Sequence, residues 1–255
     1  MSPPGASSAN TIARRALAEF TGTAALVAVL VGSGIMAAGL SGDVGVQLLA
    51  NSLATAAGLA VLITVFAPVS GAHFNPVVSL AAWLLTRREP VAAVRGRDLA
   101  AYLPAQTAGA VTGAVLANAM FALPAVQLSA RDRSAPHLLL GEAVATAGLI
   151  VVVFALARQD RARLAPVAVG GYIGAAYWFT SSTSFANPAV TLGRAVTDTF
   201  AGIAPASVPG FIAAQLAGAA LGGLLLALLY PATPRPGPAP APDEVRRTAA
   251  ADLPR

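Results

Sequence analysis

Two near-copies of one hexapeptide, Asn75-Pro76-Val77-Val78-Ser79-Leu80 and Asn187-Pro188-Ala189-Val190-Thr191-Leu192, stand 112 positions apart in a chain of apolar runs. Asn caps a helix and Pro fits its first turn, so each hexapeptide opens a helix. Each also follows a long apolar stretch and a loop of small residues. In a soluble domain these would be two ordinary helix starts. In a membrane chain the pair points to two half-helices that begin inside the bilayer with their N-termini facing each other. That arrangement puts polar groups at the midplane without burying a full charge.

Composition places the chain in a membrane. Of 255 residues, 56% are hydrophobic and only 11% charged, and the charges gather between apolar runs. A bilayer core needs about 20 apolar residues per helix. Six stretches qualify, roughly 12–39, 44–66, 99–121, 137–157, 164–182 and 208–230. The first reads as an anchor and not as a cleaved signal: it is long, lacks a clear cleavage site and carries Glu19 in its middle. Absence of cysteine excludes disulfides and thiolate metal sites.

All sixteen basic residues are arginine, and their placement orients the chain. Thirteen fall before the first and third stretches, between the fourth and fifth, or in the tail; only Arg131, Arg133 and Arg194 fall on the other side. The positive-inside rule then predicts a multi-pass protein with both termini cytoplasmic. Scattered over loops, the arginines form no single basic face, which argues against nucleic-acid binding. Residues 1–10 read as a flexible N-terminus. Residues 231–255, with seven prolines, read as a disordered tail.

Three landmarks repeat in order. Glu19 with Thr23 matches Glu142 with Thr146, Asn75 matches Asn187, and Gln106 with Gly109 matches Gln215 with Gly218. The predicted halves are 11–122, with a half-helix at 75–85, and 137–230, with a half-helix at 187–197; residues 123–136 connect them. Three spans per half force the second copy to enter from the opposite side, giving an inverted repeat with its site where the halves meet. Gly109, Gly113, Gly218, Gly222 and Gly223 read as close-packing positions.

On these residues, and on Ser70-Gly71-Ala72-His73-Phe74-Asn75-Pro76 above all, the chain resembles the aquaporin and aquaglyceroporin (major intrinsic protein) family over about residues 13–230. The resemblance implies an all-α membrane protein of six tilted helices and two re-entrant half-helices. It also implies a homotetramer in the plasma (inner) membrane, with one pore per subunit, no cofactor, no metal and no enzymatic activity. Asn75, Pro76, Val77, Asn187, Pro188 and Ala189 would form the pore centre. Pro76 and Pro188 free backbone groups there, and the two Asn amides face the lumen. Loop carbonyls from Gly71 to Phe74 and from Thr183 to Ala186 would line it as acceptors, since irregular backbone at membrane depth must be buried or face water. Glu19 and Glu142 are costly in a membrane; the resemblance makes them acceptors that hold the half-helix loops, the alternative being a proton relay. His73 is expected to orient its loop, because no other ligand clusters near it.

The chain departs from the family pattern at the filter. Most members carry arginine directly after the second Asn-Pro-Ala; here the residue is Val190, and Val77 replaces the usual alanine of the first box. Valine offers neither donors nor charge, so a wider and less polar filter is expected, resembling a bacterial branch associated with arsenic resistance. Arg194, one turn further on, is a candidate vestibule charge or else an interfacial anchor paired with Asp198. The other filter positions remain open: counting from the boxes suggests Thr55, Ala175 and Ser184, whereas aligning glycines suggests Ala57 and Tyr177. The expected function is passive passage of water and small uncharged solutes: glycerol-like polyols, urea or metalloid hydroxides such as arsenous acid. A strictly water-selective channel and a secondary active transporter are the alternatives, the latter requiring a coupling-ion site. No Ser-His-Asp or metal constellation is readable around His137.

Overall fold

The computed structural model describes residues 11–87 and 94–230. The expected flexible N-terminus and the Pro-rich tail lie outside the described residues. The helices are α1 (Ile12–Leu40), α2 (Val44–Ser70), α3 (Pro76–Thr86), α4 (Gly96–Met120), α5 (Pro136–Arg158), α6 (Ala165–Phe179), α7 (Pro188–Arg194) and α8 (Val208–Leu229). Among the described residues α1, α2, α4, α5 and α8 are long and apolar enough to cross a membrane; α6, at 15 residues, is the shorter sixth member of the repeat, and α3 and α7 are the half-helices. Local chemistry sets several boundaries. Thr11 Oγ1 accepts from Arg14 N to start α1, and Asp43 Oδ1 accepts from Val46 N to start α2.

Two boundaries differ from the sequence expectation. Helix α6 has 15 residues, preceded by the 3₁₀ turn Ala162–Leu164. It stops at Phe179 because the Thr180-Ser181-Ser182-Thr183 run bonds locally: Thr180 Oγ1 donates to the Ala176 carbonyl, and Ser184 N donates to Ser182 Oγ. Helix α7 ends at Arg194, three residues early. The Ala195 and Val196 carbonyls are drawn off by the backbone N–H groups of Ser129 and Gln127, from the loop joining the halves.

The helices pair in two equivalent couples, α1 with α4 and α5 with α8. A Cβ on Gly109 or Gly113 would strike the Phe20 or Ala24 carbonyl of α1, and one on Gly218 or Gly222 would strike that of Ala143 or Ala147 on α5. Both pairs of struck carbonyls are 123 residues apart, the spacing of Glu19 and Glu142. Where lipid gives no hydrophobic drive between helices, such backbone approach is the packing force. Gly223, also expected to serve packing, has open space around it. The buried core carries Glu19, Gln106, Glu142 and Gln215, all fully enclosed, among Ala, Val and Leu.

Candidate functional site

The half-helices meet at their tips. Asn75 is the N-cap of α3 and Asn187 that of α7; their Oδ1 atoms accept from Val77 N, and from Ala189 N and Val190 N. That leaves each amide nitrogen free to reach across. Asn75 Nδ2 donates to the Ala186 carbonyl at 2.7 Å, and Asn187 Nδ2 donates to the Phe74 carbonyl at 2.8 Å. Each acceptor immediately precedes the opposing Asn. The second N–H of each amide remains, and both asparagines line a cavity of about 150 Å³.

The loops that bring the tips together share one backbone shape. Ala72 and Phe74 have φ of 51°, and Ser184 and Ala186 have φ of 49° and 48°. These four side-chain-bearing residues sit in the left-handed region, which costs about 1–3 kcal/mol each and persists only when the surroundings impose it. The buried carboxylates impose it. Glu19 accepts from Ser70 Oγ (2.6 Å), His73 N (3.0 Å), Phe74 N (2.6 Å) and Gln106 Nε2 (2.8 Å). Glu142 accepts from Phe185 N (2.8 Å), Ala186 N (2.8 Å) and Gln215 Nε2 (2.7 Å). Gln106 and Gln215 also donate to Ser79 Oγ and Thr191 Oγ1, tying each carboxylate to its half-helix. His73 Nδ1 lies 3.0 Å from Ser79 Oγ, and its ring packs edge-on against Tyr102. Arg15 bonds Tyr102 and forms a 3.1 Å salt bridge with Asp98, the one ion pair among the described residues.

Thr55, Tyr177, Ser184 and Val190 are all buried and all line the cavity. Tyr177 Oη donates to Thr55 Oγ1 at 3.3 Å, joining α6 to α2. Ala57 and Ala175, the other candidates, are exposed on the outside of their helices. One residue thus comes from each counting register. The reason is the inversion: the same membrane face meets α2 near its start and α6 near its end. Ser184 Oγ is buried without a partner among the described residues. Apolar side chains from Leu26, Leu59, Val78, Val169 and Ile173 form much of the remaining wall, and the two loops supply the polar strip.

A second cavity of about 290 Å³ lies beyond Thr183, on the face opposite the start of α1 and the end of α8. Arg131, Asp132, Arg133 and Arg194 line it together with Asn51 and Thr183. Arg194 is 2% exposed, its guanidinium lies over the Phe185 ring, and it makes no ion pair with Asp198. Asp198 accepts instead from Ser129 Oγ and Ala130 N. Arg133 is buried by Ser182 and Gly202, whose carbonyls it bonds; this burial, then the charge of Arg131, lowers it to about 10. Hydrogen bonds from Ser134 and Ser207 hold Asp132 below the usual carboxylate range. From the sequence alone Arg131 and Arg133 read as topology markers. Their position on the face that the charge rule disfavours was the unused signal.

Five membrane-length helices with the shorter α6, an inverted repeat and a lined passage between two opposed half-helices define a helical membrane channel. The chain matches the Major intrinsic protein family over residues 6–185. It is 50% identical over 224 residues to Aquaglyceroporin AqpS of Rhizobium meliloti, covering 88% of this chain and 93% of that one. It is 32% identical to the Glycerol uptake facilitator protein of Pseudomonas aeruginosa, covering 90% and 94%. Its fold matches the crystal structure of the aquaglyceroporin from Plasmodium falciparum with a TM-score of 0.62 at 20% identity, over 86% of this chain and 97% of that one. The chain belongs to the major intrinsic protein family: a multi-pass membrane channel and not an enzyme.

Proposed function

We propose that this channel passes water and small uncharged polyols such as glycerol, passively, through the passage between α3 and α7. The observation that carries the reading is the reciprocal bonding of Asn75 and Asn187, which leaves one amide N–H on each for the lumen. A water bound there accepts from both, which breaks a continuous proton wire, while the facing helix N-termini oppose cations. The wall suits a polyol: loop carbonyls and the unpartnered Ser184 Oγ meet hydroxyls, and the apolar strip meets the carbon chain. Both relatives named for glycerol handling support the same class.

Val190 at the position after Asn187-Pro188-Ala189 leaves the filter without a charge, so metalloid hydroxides such as arsenous acid fall within its range. Glu19 and Glu142 serve as loop anchors; with their oxygens engaged by backbone and glutamine donors, they do not act as a coupling-ion site. The assembly is a homotetramer in the plasma membrane, with both termini cytoplasmic and the arginine-lined cavity outside. The Tyr177–Thr55 bond favours one second reading, a channel narrowed to water alone. Stopped-flow light scattering on proteoliposomes separates the two: water, glycerol and arsenite are all expected to permeate, and passage of water alone establishes the narrower reading.

A further inference from the structure

Among the described residues, three arginines lie on the face opposite the start of α1 and the end of α8, and all three converge on one cavity. Their guanidinium groups are held by three consecutive carbonyls: Arg131 Nη1 donates to Phe200, Arg194 Nε to Ala201, and Arg133 Nε to Gly202 at 3.0 Å. Arg133 Nη1 also donates to Ser182 O at 3.3 Å. Arg131 and Arg133 further lie over the Phe200 and Phe185 rings, 5.6 and 5.0 Å from the centroids. Each guanidinium carries five N–H donors, so these bonds fix the groups while leaving most donors unspent. Arg194 Nη1 is fully enclosed and has no partner among the described residues.

Charge in the cavity is unbalanced. Asp132 is the one carboxylate lining it, and its Oδ1 already accepts from Ser134 N, Ser134 Oγ and Ser207 Oγ. None of the three arginines forms a salt bridge among the described residues. A buried guanidinium without a counter-charge is costly, and a preorganised fork of such donors matches the oxygens of a tetrahedral anion.

We infer that this outer cavity is a binding site for a small inorganic oxyanion, of the phosphate or sulfate class. The anion bridges the N–H groups of Arg131, Arg133 and Arg194 that remain open to the cavity, and it occupies the antechamber without entering the passage. This site goes beyond the solute reading and does not depend on it.

Isothermal titration calorimetry on the purified, detergent-solubilised protein tests the site directly. Sodium sulfate and sodium phosphate are titrated at constant ionic strength, with sodium chloride as the control. Saturable binding of one oxyanion per chain is expected, with none for chloride. Arg131→Gln, an exposed position, is expected to weaken binding about tenfold through loss of a charge-assisted contact. Arg133→Gln and Arg194→Gln should abolish it. Arg161→Gln, on the opposite face, should leave it unchanged. Absence of saturable binding, undiminished binding in Arg131→Gln, or equal weakening by Arg161→Gln overturns the proposal. If the buried variants fail to fold, Arg131→Gln decides alone. No flux is measured, so failure here leaves the channel reading untouched, and impermeable liposomes leave this site standing.

Discussion

Val190 directly follows Asn187-Pro188-Ala189 and lines the passage with Thr55, Tyr177 and Ser184. Replacing it with arginine adds bulk and donors to a lumen that the Tyr177–Thr55 pair also lines. Val190→Arg is therefore expected to cut glycerol flux by about tenfold or more, a barrier higher by about 1.4 kcal/mol, while reducing water flux several times less. Stopped-flow measurement of both solutes on the same liposomes checks it; equal losses would mean damaged folding. Glu142 bears on stability. Glu142→Ala strands the N–H groups of Phe185 and Ala186 and the Gln215 amide, each costing about 1–3 kcal/mol when left unmet. The midpoint of thermal unfolding in detergent should fall well below that of the parent, and Asn187 should lose its position along with activity.

Helix pairing was legible where small residues sit at repeat-related positions. Gly109, Gly113, Gly218 and Gly222 all face the backbone of a partner helix. A paired substitution makes this quantitative. Gly113→Ala forces a Cβ into the Ala24 carbonyl and should destabilise the protein by about 1–3 kcal/mol, the cost of overpacking. Gly223→Ala meets nothing within 4 Å and should be neutral or slightly stabilising, through helix propensity alone. Thermal unfolding of the two variants, side by side, tests the difference. The half-helices announced themselves through Asn and Pro, which act on their immediate neighbours. The end of α7 did not, because it depends on Gln127 and Ser129 from a loop some 65 residues away in sequence, beyond the reach of any local pattern. Of the filter candidates, Thr55, Tyr177, Ser184 and Val190 line the cavity and Ala57 and Ala175 do not, because inversion brings opposite ends of α2 and α6 to the same face. The convergence of Arg131, Arg133 and Arg194 was equally hidden, since three separate carbonyl bonds create it.

Orientation and assembly belong to the entire protein. The chain has no cysteine, so single cysteines introduced at the surface report without background. Arg131→Cys should react with a membrane-impermeant maleimide added to intact cells, and Asp160→Cys should react only after the membrane is opened; the reverse pattern would invert the proposed topology. Purified in mild detergent, the protein should elute as four copies by light scattering. Exposed leucines and valines on α1, α2, α5 and α8 are available as the apolar outer surface that such an assembly would share with lipid.

The crossed amide bonds at the midplane carry an implication for the repeat. Asn75 finds its acceptor only in the second half, and Asn187 finds its own only in the first. One half alone would leave its donor unmet, yet two identical halves in antiparallel orientation would satisfy each other by symmetry. Joined in one chain, two such halves can share these bonds while paired positions such as Val77 and Ala189, or His73 and Phe185, carry different side chains.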